Sequence, residues 1–307
     1  MIGHRVHRDL ARAISAVENG ITDFHGALAQ FAAFGGPVRG SRRADVIGIT
    51  GPPGAGKSTL VDRLIEGFRA DDATVAVIAV DPSSPFTHGA VLGDRVRMQR
   101  HAADPGVFIR SMASRSAGGG LAPATRDAVR LADEAGFDVV IVETVGVGQV
   151  ELEIVAVADL IVVVTVPALG DGVQAIKAGL TEIADIFVVN MADRPGANAS
   201  AVDLKHMVRE GKRDIPVLQT IAQDGTGVSE LLEVLNSHRD GDDTNAVRAV
   251  RFEIVRRVRD EAVRRALAAL DTPAAAAVLD RLRDHELTRN DAIDALQFML
   301  GGPAHAH

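Results

Sequence analysis

A sandwich of helices around a mostly parallel β-sheet, the αβα architecture of the α/β class, is predicted from three observations. A short apolar run, DVIGIT at 45–50, leads without a break into the glycine-rich segment GPPGAGKS and then into a helical pattern at 59–68. Further Val- and Ile-rich runs follow at 74–80, 137–143, 159–166, 185–190 and 215–222. These runs barely alternate between apolar and polar residues, as expected of strands buried on both faces of a parallel sheet. Helical stretches separate most of them, which is the pattern of right-handed crossovers.

The elements before and after this core read as helical additions. Leu10, Ile14, Val17 and Ile21 recur every three or four residues within a helical region at 4–33, and Asn19-Gly20 interrupts it. A loop of Gly, Pro and Arg follows at 35–43. After the last strand, GDDTN at 241–245 is a polar connector, and 246–270 is a helix dense in Arg and Ala. Two more helices are expected at 274–284 and 288–300, the second capped by Thr288. The division expected is a helical extension at 1–43, the α/β core at 44–240 and a helical arm at 241–307.

Composition narrows the function. The chain of 307 residues is 47% hydrophobic, enough for one α/β core with additions. Trp and Tyr are absent and only ten Phe occur, so stacking platforms for single-stranded nucleic acid are not expected. A net charge of −8 gives no global attraction to nucleic acid or anionic membrane. The lack of cysteine excludes disulfides and thiolate metal sites. No apolar run has signal-peptide or membrane-spanning length, so the expectation is a soluble cytoplasmic protein without nucleic-acid or membrane partners. Arginines of the 246–270 helix are diluted by Glu253, Asp260 and Glu261, which favours a packed or dimer-forming helix over a nucleic-acid surface.

Gly51-Pro52-Pro53-Gly54-Ala55-Gly56-Lys57-Ser58 matches G-x-x-x-x-G-K-[ST] completely, between a strand and a helix. This is the phosphate loop of P-loop NTPases. Its glycines let several N–H groups converge on phosphate oxygens, backed by the positive end of the helix. Lys57 is expected on the β- and γ-phosphates and Ser58 on Mg²⁺, with Thr59 beside them. The loop alone selects neither GTP nor ATP.

Three strand ends face the same edge of such a sheet, where ligands bind. Asp81, at the end of the 74–80 run, is a candidate for magnesium or a magnesium-bound water. Glu143 closes another buried run in Glu143-Thr144-Val145-Gly146 and is a candidate acidic metal-side residue, with Gly146 offering an N–H to the γ-phosphate. Asp-x-x-Gly is the usual pattern there, so Glu is a departure. Asn190-Met191-Ala192-Asp193 follows a third run. An aspartate there can accept from guanine N1–H and the exocyclic amine, whereas adenine has no N1–H to offer. Met191 stands where lysine is usual, so weaker nucleotide binding is expected. Strand-end turns or solvated carboxylates are the plain alternatives for all three.

With these segments in view, the chain resembles the MeaB/ArgK family of G3E-class GTPases over nearly its whole length. The resemblance rests on GPPGAGKSTL, AVDPSSPFTHGAVLGDRVRM, VFIRSMASRSAGGGLA, DVVIVETVGVGQVE and GDGVQAIKAG, the pairing of DPSSPF with ETVGVGQ being the most specific. It implies GTP/GDP and Mg²⁺ as ligands and GTP hydrolysis as the reaction. It also implies a homodimer and an adenosylcobalamin-dependent acyl-CoA mutase as partner, chiefly methylmalonyl-CoA mutase. By the same resemblance Lys57, Asp94 and Glu143 are the catalytic candidates, and Ser58, Asp81, Asp94 and Glu143 the magnesium set. Asn190 and Asp193 read guanine, and Lys177 in GDGVQAIK relays the nucleotide state to the partner. Met191, Ala168, Val150 and His88 depart from the family pattern. A kinase of the arginine/ornithine transport type and a non-hydrolysing nucleotide-gated scaffold are the alternatives. Arg110 and Arg115, with Gly118 to Gly120, are read as a basic loop, and His88 and His101 as non-ligands.

Overall fold

The run preceding the glycine-rich loop forms the centre of the sheet. In a computed structural model, which describes residues 2–37, 43–82, 98–114, 123–144, 154–167, 183–210, 214–239 and 244–299, strand β1 (Asp45–Thr50) lies between two other apolar runs. The further strands are β2 (Val75–Pro82), β3 (Val107–Ser114), β4 (Val139–Thr144), β5 (Leu160–Thr165), β6 (Ile186–Asn190) and β7 (Val217–Thr220). Their order is β3-β2-β4-β1-β5-β6-β7, with every pairing parallel. All six residues of β4 and all six of β5 are buried, which is why these segments carry no alternation. The C-terminal ends of all seven strands therefore lie along one edge of the sheet, the edge on which the glycine-rich loop opens.

The chain divides into two compact units, Met1–Ala249 and Val250–His307. In the first, the helices among the described residues are α1 (His4–Glu18), α2 (Phe24–Ala33), α3 (Lys57–Ala70), α4 (Pro123–Glu134), α5 (Ala197–Glu210) and α6 (Val228–Arg239). The Asn19-Gly20 interruption is real: α1 stops at Glu18, and α2 restarts behind Asp23, whose carboxylate accepts from Gly26 N–H at 2.9 Å. Helix α3 buries Leu60, Val61, Leu64, Ile65 and Phe68 against the sheet, all fully inaccessible. At about 25 cal/mol per Å² of apolar surface, each such side chain contributes roughly 1.5–3 kcal/mol to holding the helix in place. On its other flank Gly67 lets α6 approach closely, since a Cβ there would lie 2.1 Å from Leu232 Cδ1.

Strand β3 is the element the sequence reading lacks. Its segment contains Arg110, Ser111 and Ser114, which masked the short apolar run Val107-Phe108-Ile109. Arg110 is not part of a loop: it sits in β3, and its Nη2 donates to Glu18 Oε2 at 2.7 Å and Ser15 Oγ at 3.1 Å. The edge strand is thereby joined to α1 by charge, beside ring contacts of His7 with Phe108 and Phe137. Burial and the neighbouring His4 hold the His7 imidazole below its usual pKa.

The second unit contains most of α7 (Thr244–Leu270), then α8 (Pro273–Arg283) and α9 (Arg289–Met299). Thr272 caps α8 ahead of Pro273 at the first helical position. Thr288 and Asp291 cap α9 reciprocally, with Thr288 Oγ1 accepting from Asp291 N–H at 3.2 Å. Val250, Ile254, Val255, Val258, Val263 and Leu267 of α7 are all more than half exposed. No helix among the described residues is long and apolar enough to cross a membrane.

Truncating Arg110 to alanine leaves the Glu18 carboxylate, 10% exposed, without this guanidinium. The expected cost is about 2 kcal/mol, read as a lower urea midpoint at unchanged m-value.

Candidate nucleotide-binding site

Backbone geometry at the end of β1 admits little but glycine. Gly51 has φ +135°, and a Cβ there would stand 1.9 Å from the Val164 carbonyl oxygen on β5. Gly56 has φ +83°, and a Cβ would reach 2.4 Å from Asn190 Nδ2. Gly56 is also the N-cap of α3, with no side chain to accept from the first turn. The N–H groups of that turn stand at the positive end of the helix dipole, where an anion is favoured. Lys57 opens the helix, is buried, and donates from Nζ to the carbonyls of Gly51 at 2.8 Å and Pro52 at 3.1 Å. Its ammonium is therefore tethered to the loop itself.

Ser58 follows on the buried side. Its hydroxyl donates to Glu143 Oε1 at 2.6 Å, and the two residues are 7% and 3% exposed. Glu143 is brought there by register, since it pairs with Ile49 of β1, two residues before Gly51. One residue further on, Thr144 Oγ1 donates to Thr50 Oγ1 at 3.0 Å and locks the two strand ends together. A hydroxyl and a carboxylate in contact form a hard-oxygen donor set, which suits magnesium. Asp81 lies at the end of β2, two residues past Ala79, the partner of Glu143. Its backbone is thus at the same edge, and its side chain lies outside the described structure, as do Asp94, Gly146 and Lys177 entirely.

Asn190 closes β6 and is 2% exposed. Its amide nitrogen donates to the Ala55 carbonyl of the glycine-rich loop at 2.8 Å. Its oxygen accepts from Thr220 Oγ1 at 3.1 Å and from Ala222 N–H at 3.0 Å. The next residue, Met191, has φ +56°, an uncommon left-handed turn for a side-chain-bearing residue. The turn is tied to β7, because Ala192 N–H donates to the Thr220 carbonyl at 3.0 Å. Beside this turn a cleft with about 420 Å³ of empty space is lined by Gly56, Thr59, Met191, Asp193, Ala222 and Gln223 among others.

The structure thus brings Gly51 to Thr59 together with Glu143 on one side and with Asn190 and Asp193 on the other. Thr220, Ala222 and Gln223 were missed as site residues because their segment reads as strand. The signal was available: a strand ending at Thr220 delivers its following loop to the binding edge.

The profile of one protein family, described as methylmalonyl Co-A mutase-associated GTPase MeaB, matches residues 10–273. A Pyrococcus abyssi protein named as a GTPase is 52% identical over 240 residues, spanning 76% of this chain and 72% of that protein. A Cupriavidus metallidurans protein named fused isobutyryl-CoA mutase is 40% identical over 228 residues, 70% of this chain and 20% of that protein. Among solved structures, one titled LAO/AO transport system kinase superposes with a TM-score of 0.65 at 24% identity, covering 97% of this chain and 95% of that one. This last likeness concerns the fold.

Replacing Asn190 by alanine removes three hydrogen bonds between two loops. With buried partners left unsatisfied at about 1–3 kcal/mol each, the variant is expected to lose several kcal/mol of stability and at least about tenfold in nucleotide affinity. Thermal unfolding and fluorescent-GDP titration measure the two effects.

Proposed function

The chain belongs to the MeaB family of GTPases, and from that premise we propose that its nucleotide cycle serves an adenosylcobalamin-dependent acyl-CoA mutase, with methylmalonyl-CoA mutase the first candidate. The observation that carries the nucleotide part is Asn190, which joins the Ala55 carbonyl of the glycine-rich loop to the cleft containing Asp193. One ligand spanning loop and cleft has phosphates at one end and a purine at the other. Support for a mutase partner comes from the family's description and from the related stretch within the fused isobutyryl-CoA mutase. Loading and protection of the B12 cofactor is the role such an association would fulfil.

In this reading, main-chain N–H groups of Gly54 to Ser58 and the Lys57 ammonium hold the β- and γ-phosphates and offset the charge that develops as water attacks the γ-phosphorus. GTP and water give GDP and inorganic phosphate, and the loss of γ-phosphate contacts releases the loops around it. Ser58 and Glu143 would hold magnesium, with Asp81 and Asp94 as further candidates; when bound, the ion neutralises phosphate charge. Asp193 accepts from guanine N1–H and N2, and Met191 covers the base with its apolar stem. Gly146 would meet the γ-phosphate and Lys177 the partner.

A homodimer is part of the same proposal. The exposed aliphatic side chains of α7 named above are poorly solvated by water, and a second copy of the arm is the proposed cover.

Purified with magnesium, the protein is expected to release phosphate from GTP without an added acceptor and to prefer GTP over ATP by about a hundredfold or more. Lys57→Ala should lower turnover or binding by at least about tenfold; undiminished phosphate release in that variant would refute the assigned site. Ile254→Glu combined with Val258→Glu is expected to shift the sedimentation coefficient to that of a monomer, and a wild type already monomeric would refute the dimer.

A further inference from the structure

Arg63 lies on α3, one and a half turns beyond Lys57, and is not among the residues assigned to phosphate, metal or base. Each of its three guanidinium nitrogens has a different acceptor. Nε donates to the Ala222 carbonyl at 3.1 Å, Nη2 donates to the Gln223 carbonyl, and Nη1 meets Glu66 Oε2 at 2.9 Å. Two of these acceptors are main-chain groups of the loop that lines the cleft with Asp193. The Ala222 peptide is thereby gripped at both ends: Asn190 accepts from its N–H and Arg63 donates to its C=O.

Glu66 does not act alone. Its other oxygen pairs with Arg100, which follows β2 and precedes β3 in the chain. Arg100 also grips Asp62, donating from Nε to Oδ1 at 2.8 Å and from Nη2 to Oδ2. Asp62 Oδ1 also contacts His101 Nε2 at 2.9 Å. One half-buried face of α3 thus carries a chain of contacts running from the Gln99–His101 turn, through Asp62, Arg100 and Glu66, to Arg63 and the cleft loop. Isolated surface ion pairs are worth little, but a planar guanidinium with three fixed acceptors is pre-organised.

We infer that Arg63 is a positioning residue for the purine base, fixing the Ala222–Gln223 main chain against the cleft from the opposite side to Asn190. The proposal rests on the reading of the cleft as the guanine site. Guanine presents an acceptor, O6, that the Asp193 carboxylate cannot serve, and the neighbouring main-chain N–H groups of this loop are the donors a fixed loop can offer. The Arg63 nitrogens are engaged by the Ala222 and Gln223 carbonyls and by Glu66, none of them a group assigned to phosphate or metal, so its loss should weaken ground-state and transition-state binding alike.

The test is full-length protein with magnesium, comparing wild type, Arg63→Ala, Arg63→Lys and Arg100→Ala. Affinities for GDP and ADP, and KM and kcat for GTP, are measured beside the melting temperature. Arg63→Ala is expected to raise the GDP dissociation constant and the GTP KM about tenfold, with kcat within about twofold and ADP affinity little changed. Arg63→Lys, with one nitrogen for three acceptors, should recover part of the loss. Arg100→Ala should move KM in the same direction by a smaller factor. Should Arg63→Ala fail to fold, the same KM-against-kcat split in Arg63→Lys and Arg100→Ala decides the matter. GDP affinity and KM unchanged in Arg63→Ala, or a fall in kcat alone, would overturn the role of Arg63 while leaving the cleft as the guanine site. A wild type that binds GDP and ADP equally would overturn the guanine reading and this inference with it.

Discussion

A single buried carboxamide couples the two halves of the site. Asn190 can donate and accept, and it does both across a gap that no main-chain ladder spans. Its nitrogen holds the glycine-rich loop at Ala55, and its oxygen holds Thr220 and Ala222 at the end of β7. Neither aspartate nor a hydrophobic residue can replace it, since aspartate repels the Ala55 carbonyl and an apolar side chain leaves three buried groups unsatisfied. The spacing between the glycine-rich loop and the cleft beside Asp193 is therefore set by one side chain as well as by the sheet. The same constraint explains Gly56, because a Cβ there would lie 2.4 Å from the Asn190 nitrogen.

The sheet supplies the remaining precision. β1 is flanked by β4 and β5 in register, and the Thr50–Thr144 hydroxyl contact fixes the level at which both central strands end. Gly51 then turns away against the Val164 carbonyl with no room for a side chain. A rigid parallel core delivers every strand end to one edge, so that residues more than a hundred positions apart meet without any flexible element between them. The outer strands require other restraints. β3 is held to α1 through Arg110 and Glu18, and Arg69 holds the turn before β3 through Asp104, whose carboxyl it draws below the usual range.

Most strands legible in the sequence are buried almost throughout, β7 with its alternating burial being the exception. Five of the six runs read as strands contain no internal charge, and a residue that must be apolar on both faces leaves an unmistakable pattern. β3 was illegible because it lies at the edge and carries a charged side chain toward a helix that sequence spacing cannot place. The phosphate loop was legible because main-chain geometry dictates its glycines. The lining of the cleft was half legible: Asn190 and Asp193 stand in a recognisable spacing, whereas Ala222 and Gln223 meet Asn190 and Arg63 through main-chain atoms, which leave no residue signature. Arg63 was hidden for a related reason. Its partners outside its own helix are carbonyls, and a helical arginine reads as a solvated face until the loop opposite it is known.

Geometry also accounts for the glutamate at 143, where aspartate is the commoner choice. The carboxylate meets Ser58 Oγ at 2.6 Å from a strand that is hydrogen-bonded directly to β1. Removing one methylene would retract the carboxylate by about 1.5 Å. The separation would then be about 4 Å, beyond hydrogen-bond range. Strand register sets the distance from the β4 backbone to Ser58, and Ser58 is fixed by the first turn of α3. The longer side chain is thus the one that fits between two rigid elements. It keeps a hydroxyl and a carboxylate in contact where a hard cation would be shared, and an aspartate at this level of β4 would need a different strand end to do the same.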